Sequence, residues 1–283
     1  MNTAAENPSP LLTGIKVVSL SINTPGPVAA SRLARLGAQV TKVEPPSGDP
    51  LRVFATEWYR SLAEGQSIVT LDLKQESDRA QLDRLLADAD LLLASFRPSA
   101  LARLSLDWPT LHARHPRLCF AGIIGYPPPN EEKSGHDLTY LAETGLVTPP
   151  EMPATLFVDL AGAERCVTQA LALLLHRERT GEAGQAFISL YDCAHELAAP
   201  VTAGLTAVGG VLRGGFPLYG VYQSQNGWIA IAALEPHFAQ RLLSELKLPK
   251  PDHNDLAQAF RQRTSQEWES WAAARDLPIV AVR

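Results

Sequence analysis

Residues 15–43 follow a pattern that few architectures accommodate. A nearly continuous apolar run over 15–20 reads as a strand covered on both faces. Asn23, Thr24, Pro25, Gly26 and Pro27 form a turn, and a helix over 29–36 ends at Gly37, a residue suited to a helix C-terminus. A second strand over 39–43 stops at Glu44, Pro45 and Pro46. Two strands joined through a helix lie parallel in one sheet. The alternation continues with strands at 67–73, 91–94, 118–124 and 186–190 and helices at 77–87, 99–104, 108–113 and 160–177. The predicted fold is α/β: an open, mostly parallel Rossmann-like sheet flanked by helices.

The pattern changes after a helix over 193–205. Glycines at 209, 210, 214 and 215 break it, and strands at 218–223 and 228–232 then flank Asn226-Gly227, the signature of a tight hairpin. Helices at 236–246 and 268–274 and a short strand at 279–282 follow. The predicted organisation is a large Rossmann-like domain at 1–190, a linker helix at 191–205 and a smaller α+β domain at 206–283. Residues 1–10 read as a disordered lead with no signal-peptide order.

Several function classes fall away here. The net charge is −5, which argues against nucleic acid or an anionic membrane as the main partner. No uncharged apolar run approaches a membrane span. Cys119, Cys166 and Cys193 are far apart and sit in apolar contexts, so they read as free thiols of a cytoplasmic protein, and no metal site is expected. A dinucleotide site is disfavoured as well: the first turn has one glycine where the fingerprint needs three, and Pro25 and Pro27 offer no N–H to a pyrophosphate.

Candidate chemistry concentrates between 136 and 159. His136 stands beside Asp137 after Gly135, and an apolar run, Leu156-Phe157-Val158, delivers Asp159 to a long amphipathic helix. Asp159 is either an ordinary helix cap or an acid–base group, and His136 either a surface residue or its counterpart. The intervening chain is long enough to double back and set the two across a cleft. An α-carbon next to a thioester is weakly acidic. Two titratable groups on opposite faces of it, with a donor for the carbonyl oxygen, would invert its configuration. The free N–H groups of the helix start after Asp159 are the expected donor.

The run Gly135-His136-Asp137-Leu138-Thr139-Tyr140-Leu141-Ala142, followed by Thr144-Gly145, resembles the corresponding segment of α-methylacyl-CoA racemases, members of the family III CoA-transferase superfamily. Other segments agree in the same order: Gly26-Pro27, Lys42-Val43-Glu44-Pro45-Pro46 with Gly48-Asp49-Pro50, Leu71-Asp72-Leu73-Lys74, Phe96-Arg97-Pro98, Arg213-Gly214-Gly215, and Ala233-Leu234-Glu235-Pro236. The resemblance implies that His136 and Asp159 are the two bases, that Asp137 orients His136, and that Glu235 adds a carboxylate from the small domain. The alternative for Glu235 is a helix-start acid. It also implies that Leu71, Asp72, Leu73, Lys74, Arg97, Gly135 and Tyr140 contact coenzyme A, which enters as part of an acyl-CoA substrate. No tightly bound cofactor is implied, and the expected assembly is a homodimer. Lys74 also reads as an exposed lysine at a strand end. In family III transferases the matching aspartate instead attacks the thioester. The histidine at 136 favours the racemase reading over the transferase one.

The chain departs from the family pattern at Gly65-Gln66-Ser67, at Pro45, at Pro127-Pro128-Pro129-Asn130 and at Leu160 to Arg165, and family members continue past the position matching Arg283. These departures motivate a third expectation, a member that binds acyl-CoA without turnover.

Overall fold

The computed structural model describes residues 10–283, so most of the proposed disordered lead lies outside the described residues. The chain divides into two compact units, Met1–Leu197 and Ala198–Arg283.

The first unit runs β1 (Lys16–Ser19), α1 (Pro25–Arg35), β2 (Gln39–Glu44), α2 (Leu51–Phe54), α3 (Thr56–Ala63), β3 (Ser67–Thr70), α4 (Glu76–Ala87), β4 (Leu91–Ala94), α5 (Pro98–Arg103), α6 (Trp108–Arg114), β5 (Cys119–Ile124), α7 (Asp137–Glu143), α8 (Phe157–Thr180), β6 (Gln185–Ser189) and α9 (Leu190–Leu197). Among the described residues its strands form a six-stranded sheet, parallel throughout, in the order β3-β2-β1-β4-β5-β6. β4 shows why the central strands read as unbroken apolar runs. Leu91 and Leu93 pack into one core with Val28, Leu33, Ala163 and Ala170 of α1 and α8. Leu92 and Ala94 face the opposite core, with Leu82 and Leu86 of α4 and Leu101 and Leu111 of α5 and α6. Side chains alternate in direction along a strand, so a strand sandwiched between two helical layers needs apolar residues at every position.

α1 begins four residues earlier than the periodicity predicts, at Pro25. First-turn N–H groups have no partner within a helix, so proline there costs no hydrogen bond. Gly26 is required by close approach: a Cβ at this position would lie 2.0 Å from the Ser21 Cβ.

The second unit contains α10 (Ala199–Thr202), β7 (Tyr219–Gln223), β8 (Trp228–Ala232), α11 (Pro236–Leu246), α12 (His253–Phe260), α13 (Ser265–Ala273) and β9 (Ile279–Ala281). The strands pair antiparallel in the order β7-β8-β9. Ile229, Ile231, Leu242, Leu256, Phe260 and Trp268 build its core. The single helix expected over 193–205 is two short ones. Pro200 offers no N–H to continue the ladder from α9, so the helix breaks at Ala198. α12 is a helix the periodicity does not announce; its signal was the capping box of Asp252 and Asp255. No helix of the described residues is long and apolar enough to cross a membrane.

Candidate active site

The strand order turns around between β1 and β4: the chain goes outward through β2 and β3, then returns to β4 on the other side of β1. The loops after two such strands diverge and leave a crevice at their carboxyl ends, the usual ligand site of open α/β sheets. Here that crevice is a cavity of about 180 Å³ reached by Asn23 after β1, Ser95 and Arg97 after β4, and Gly125 after β5. Arg97, Gly135, His136, Tyr140 and Asp159 all line it. Five of the residues singled out in the sequence, from three separate stretches, therefore share one cavity.

Asp159 is half-buried in the first turn of α8. It was expected ahead of the helix, but α8 begins at Phe157 and includes it. Burial is the main reason its carboxyl is pushed up to about 7, with the nearby negative charge of Asp137 adding to the shift and a hydrogen bond from the Thr24 hydroxyl opposing it. An aspartate in this range carries its proton about half the time at neutral pH and can act as acid or base.

His136 is exposed at the N-cap of α7 with extended backbone angles. Its N–H donates to the Thr139 Oγ1 at 2.9 Å, and the same hydroxyl donates to the His136 carbonyl at 2.8 Å. The backbone is thereby fixed at a position where His136 lines the cavity. Gly135 before it has no room for a side chain, since a Cβ would sit 2.4 Å from the Tyr140 ring. Tyr140 is 1% exposed. Burial, first, and the Tyr126 and Asp159 charges hold its phenol well above the ordinary tyrosine range, so it remains a proton donor.

Asp137 departs from expectation. It is buried, and its Oδ1 accepts from the backbone N–H of Val158 at 2.7 Å and of Asp159 at 2.9 Å. Its carboxylate caps α8 from outside the helix and is directed there, where orientation of His136 had been expected. The same two bonds occupy N–H groups expected to be free for a thioester oxygen. They also explain the early start of α8: Leu156 at the N-cap cannot supply a side-chain acceptor, and a residue remote in the chain does so.

A buried ionic network holds the loop opposite. The Lys42 Nζ lies 2.5 Å from the Asp49 Oδ2 and 2.9 Å from the Glu44 Oε1, and Tyr59 donates to the Glu44 Oε1 at 2.7 Å. Burial works to raise the Glu44 carboxyl, yet the bonds from Lys42 and Tyr59 prevail and hold it low. Tyr59 is pushed up to about 12 by burial and by its bond to Glu44. The Asp49 Oδ1 accepts from the Asn23 N–H at 3.0 Å. Asn23 has φ +68°, a left-handed conformation that needs such support. The network thus sets the turn that presents Thr24 to Asp159. The sequence reading missed Thr24, although its place directly after the first strand of a parallel sheet is a usable signal.

Leu71, Asp72, Leu73 and Lys74 line a separate, mainly apolar cleft of about 220 Å³ with Pro45, Pro46 and Phe96. Ile22 borders both this cleft and the cavity containing Asp159. Glu235 belongs to the second unit, exposed at the N-cap of α11, with no side-chain capping bond. The three cysteines are free and buried, and burial pushes Cys166 up to about 12.

The family model described as CoA-transferase family III matches residues 12–283. Alpha-methylacyl-CoA racemase of Homo sapiens is 30% identical over 290 residues, 91% of this chain and 74% of that protein. The succinyl-CoA–L-malate CoA-transferase alpha subunit of Chloroflexus aurantiacus is 30% identical over 297 residues, 94% of this chain and 66% of that protein. A probable fatty acyl-CoA transferase of Mycobacterium tuberculosis is 34% identical over 206 residues, 66% of this chain and 52% of that protein, so the match spans about half its length. The crystal structure of that mycobacterial protein superposes with a TM-score of 0.86 at 28% identity, covering 98% of this chain and 86% of that one. With a family match that takes in nearly the whole sequence, and a site built at the crevice of a matching fold, this chain belongs to the family III CoA-transferases.

Proposed function

We propose that the protein acts on an acyl-CoA thioester and epimerises the α-carbon of a 2-methyl-branched acyl group. The carrying observation is a carboxyl poised at about 7, Asp159, in one cavity with the imidazole of His136. One of the two removes the C2 proton, the C–H electron pair moves toward the thioester oxygen as an enolate, and the other returns a proton to the opposite face. With two N–H groups of α8 held by Asp137, the Tyr140 phenol is our choice of donor to the enolate oxygen. The cleft at Leu71–Lys74 suits the adenosine end of coenzyme A. Lys74 and Arg97 supply cations for its phosphates, and the pantetheine arm passes Ile22.

A second reading is favoured by the transferase relatives, which are as similar as the racemase. In it the Asp159 carboxylate attacks the thioester carbonyl and displaces the CoA thiolate, leaving an acyl anhydride. The two readings separate in one experiment, an incubation of a 2-methylacyl-CoA with the protein in deuterated water, with and without a free carboxylic acid. Epimerisation gives deuterium at C2 in both, abolished by Asp159→Ala and by His136→Ala. CoA transfer to the free acid with no deuterium at C2 overturns the leading reading. Binding with neither outcome would mark a member that holds acyl-CoA without turnover.

A further inference from the structure

Thr24 occupies the N-cap of α1, where a threonine hydroxyl ordinarily accepts from its own helix. Here it makes no such bond. Thr24 is buried, and its hydroxyl donates instead to the Asp159 carboxyl. The residue before it, Asn23, has φ +68°, a region that side chains other than glycine enter at a cost. Asp49 offsets that cost from a loop 26 residues further on. It is 1% exposed, and its Oδ1 accepts from the Asn23 N–H and the Leu51 N–H, each at 3.0 Å. Its Oδ2 lies 2.5 Å from the Lys42 Nζ, and its own N–H donates to the Glu44 Oε2 at 3.3 Å. Bonds to β2 and to the start of α2 therefore fix the carboxylate that receives the Asn23 N–H. Around Asp159, the titratable and charged groups are Asp137, His136 and Tyr140 from α7 and its cap, Arg97 after β4, and Glu131 and Lys133 before α7. Asp49 lies outside that lining, so it reaches Asp159 through the turn and not by contact.

We infer that Asp49 is a positioning residue for the reaction: by fixing Asn23 it holds the Thr24 hydroxyl on the Asp159 carboxyl, and so sets how readily Asp159 gives up and takes back a proton. This rests on the reading of Asp159 as the acid–base or nucleophilic group of the site. The sign of the effect separates it from a direct effect of charge. Losing a nearby negative charge lowers the pH at which a carboxyl titrates, whereas losing a hydrogen bond that stabilises the ionised form raises it. Removal of the Asp49 carboxylate therefore moves Asp159 upward if it acts through Thr24, and downward if it acts through space.

The test is a carbon-13 NMR titration of the aspartate side-chain carboxyls in the full chain, with the Asp159 signal assigned by its absence in Asp159→Asn. Asp49→Ala and Thr24→Ala are each expected to raise the Asp159 midpoint by about 0.5–1 pH unit. The double variant is expected to move no further than Thr24→Ala alone, because both changes remove the same bond. Leu101→Ala, in the opposite core, is expected to lower stability and leave the midpoint in place. If Asp49→Ala does not fold, Lys42→Met combined with Asp49→Ala removes the buried pair as a unit and is read in the same way. A midpoint that falls or stays in either single variant overturns the proposal. So do shifts that add in the double variant, or an Asp49 shift matched by Leu101→Ala. The kcat/KM profile for deuterium exchange into a 2-methylacyl-CoA is measured alongside, and its Asp159 limb is expected to follow the NMR midpoint. Shifted midpoints with no exchange at C2 in the wild-type protein would count against the epimerase reading and leave the positioning of Asp159 standing.

Discussion

Asp159 carries the testable chemistry at the scale of single residues. Its folded value near 7 lies above the ordinary 3.8, so between these two values the folded state binds more protons than the unfolded chain. Stability from this group is therefore fully present below about pH 4, falls as pH rises through 7, and stays lowered above it. Asp159→Asn, which removes the buried charge, is expected to raise the melting temperature at pH 8 by about 3–6 °C and to leave it nearly unchanged at pH 4, as scanning calorimetry would read. Activity follows a different rule. Two-base proton transfer requires one of the two groups protonated and the other not, giving a bell-shaped kcat/KM profile with one limb set by Asp159 near 7. The transferase reading needs Asp159 ionised and gives a single rise through about 7. The limb set by Asp159 should move in opposite directions in two variants. Thr24→Ala removes a bond that stabilises the carboxylate and shifts it to higher pH, while Asp137→Asn removes a neighbouring negative charge and shifts it to lower pH. Parallel shifts in the measured profiles would contradict this assignment of causes.

At the scale of elements, α8 owes its start to Asp137. Asp137→Ala leaves the N–H groups of Val158 and Asp159 without their acceptor and is expected to cost about 1–2 kcal/mol in urea unfolding. A helix-cap role and a histidine-orienting role differ in this measurement, because the second would not move stability. The same helix shows what local reading can and cannot recover. Its apolar spacing from Leu160 onward was legible, as was its end near Gly181, the left-handed C-cap. Its first turn was not, because the cap lies 22 residues before Asp159, the farther of the two residues it holds. α7 was missed for a related reason: with seven residues it has too few turns to display a period, and His136 at its N-cap belongs to no favoured capping type. Among the residues that line the cavity, Arg97 and Tyr140 were named through the order of their motifs, and His136 and Asp159 through the titratable groups at the two ends of the stretch between 136 and 159. Thr24 belongs to a segment whose meaning depends on what packs against it.

For the whole molecule, the ionic network of Lys42, Glu44, Asp49 and Tyr59 joins β2 to the loop bearing Asn23. Lys42 is 2% exposed and faces two buried carboxylates. Lys42→Met leaves both without their cation and is expected to destabilise the protein by about 3–5 kcal/mol, measured by denaturant unfolding. A loss well below 1 kcal/mol would mean that the carboxylates find water or protons instead. The sequence alone determined the sheet, because apolar strands alternating with amphipathic helices have one economical way to bury both faces, and it determined the family through ordered motifs spread along the chain. Tertiary structure alone decided which side chains meet at the crevice between β1 and β4, where α8 begins, and which carboxyl is raised toward neutrality. Those properties arise from burial and from contacts between residues far apart in the chain, and neither is written in any local stretch of it.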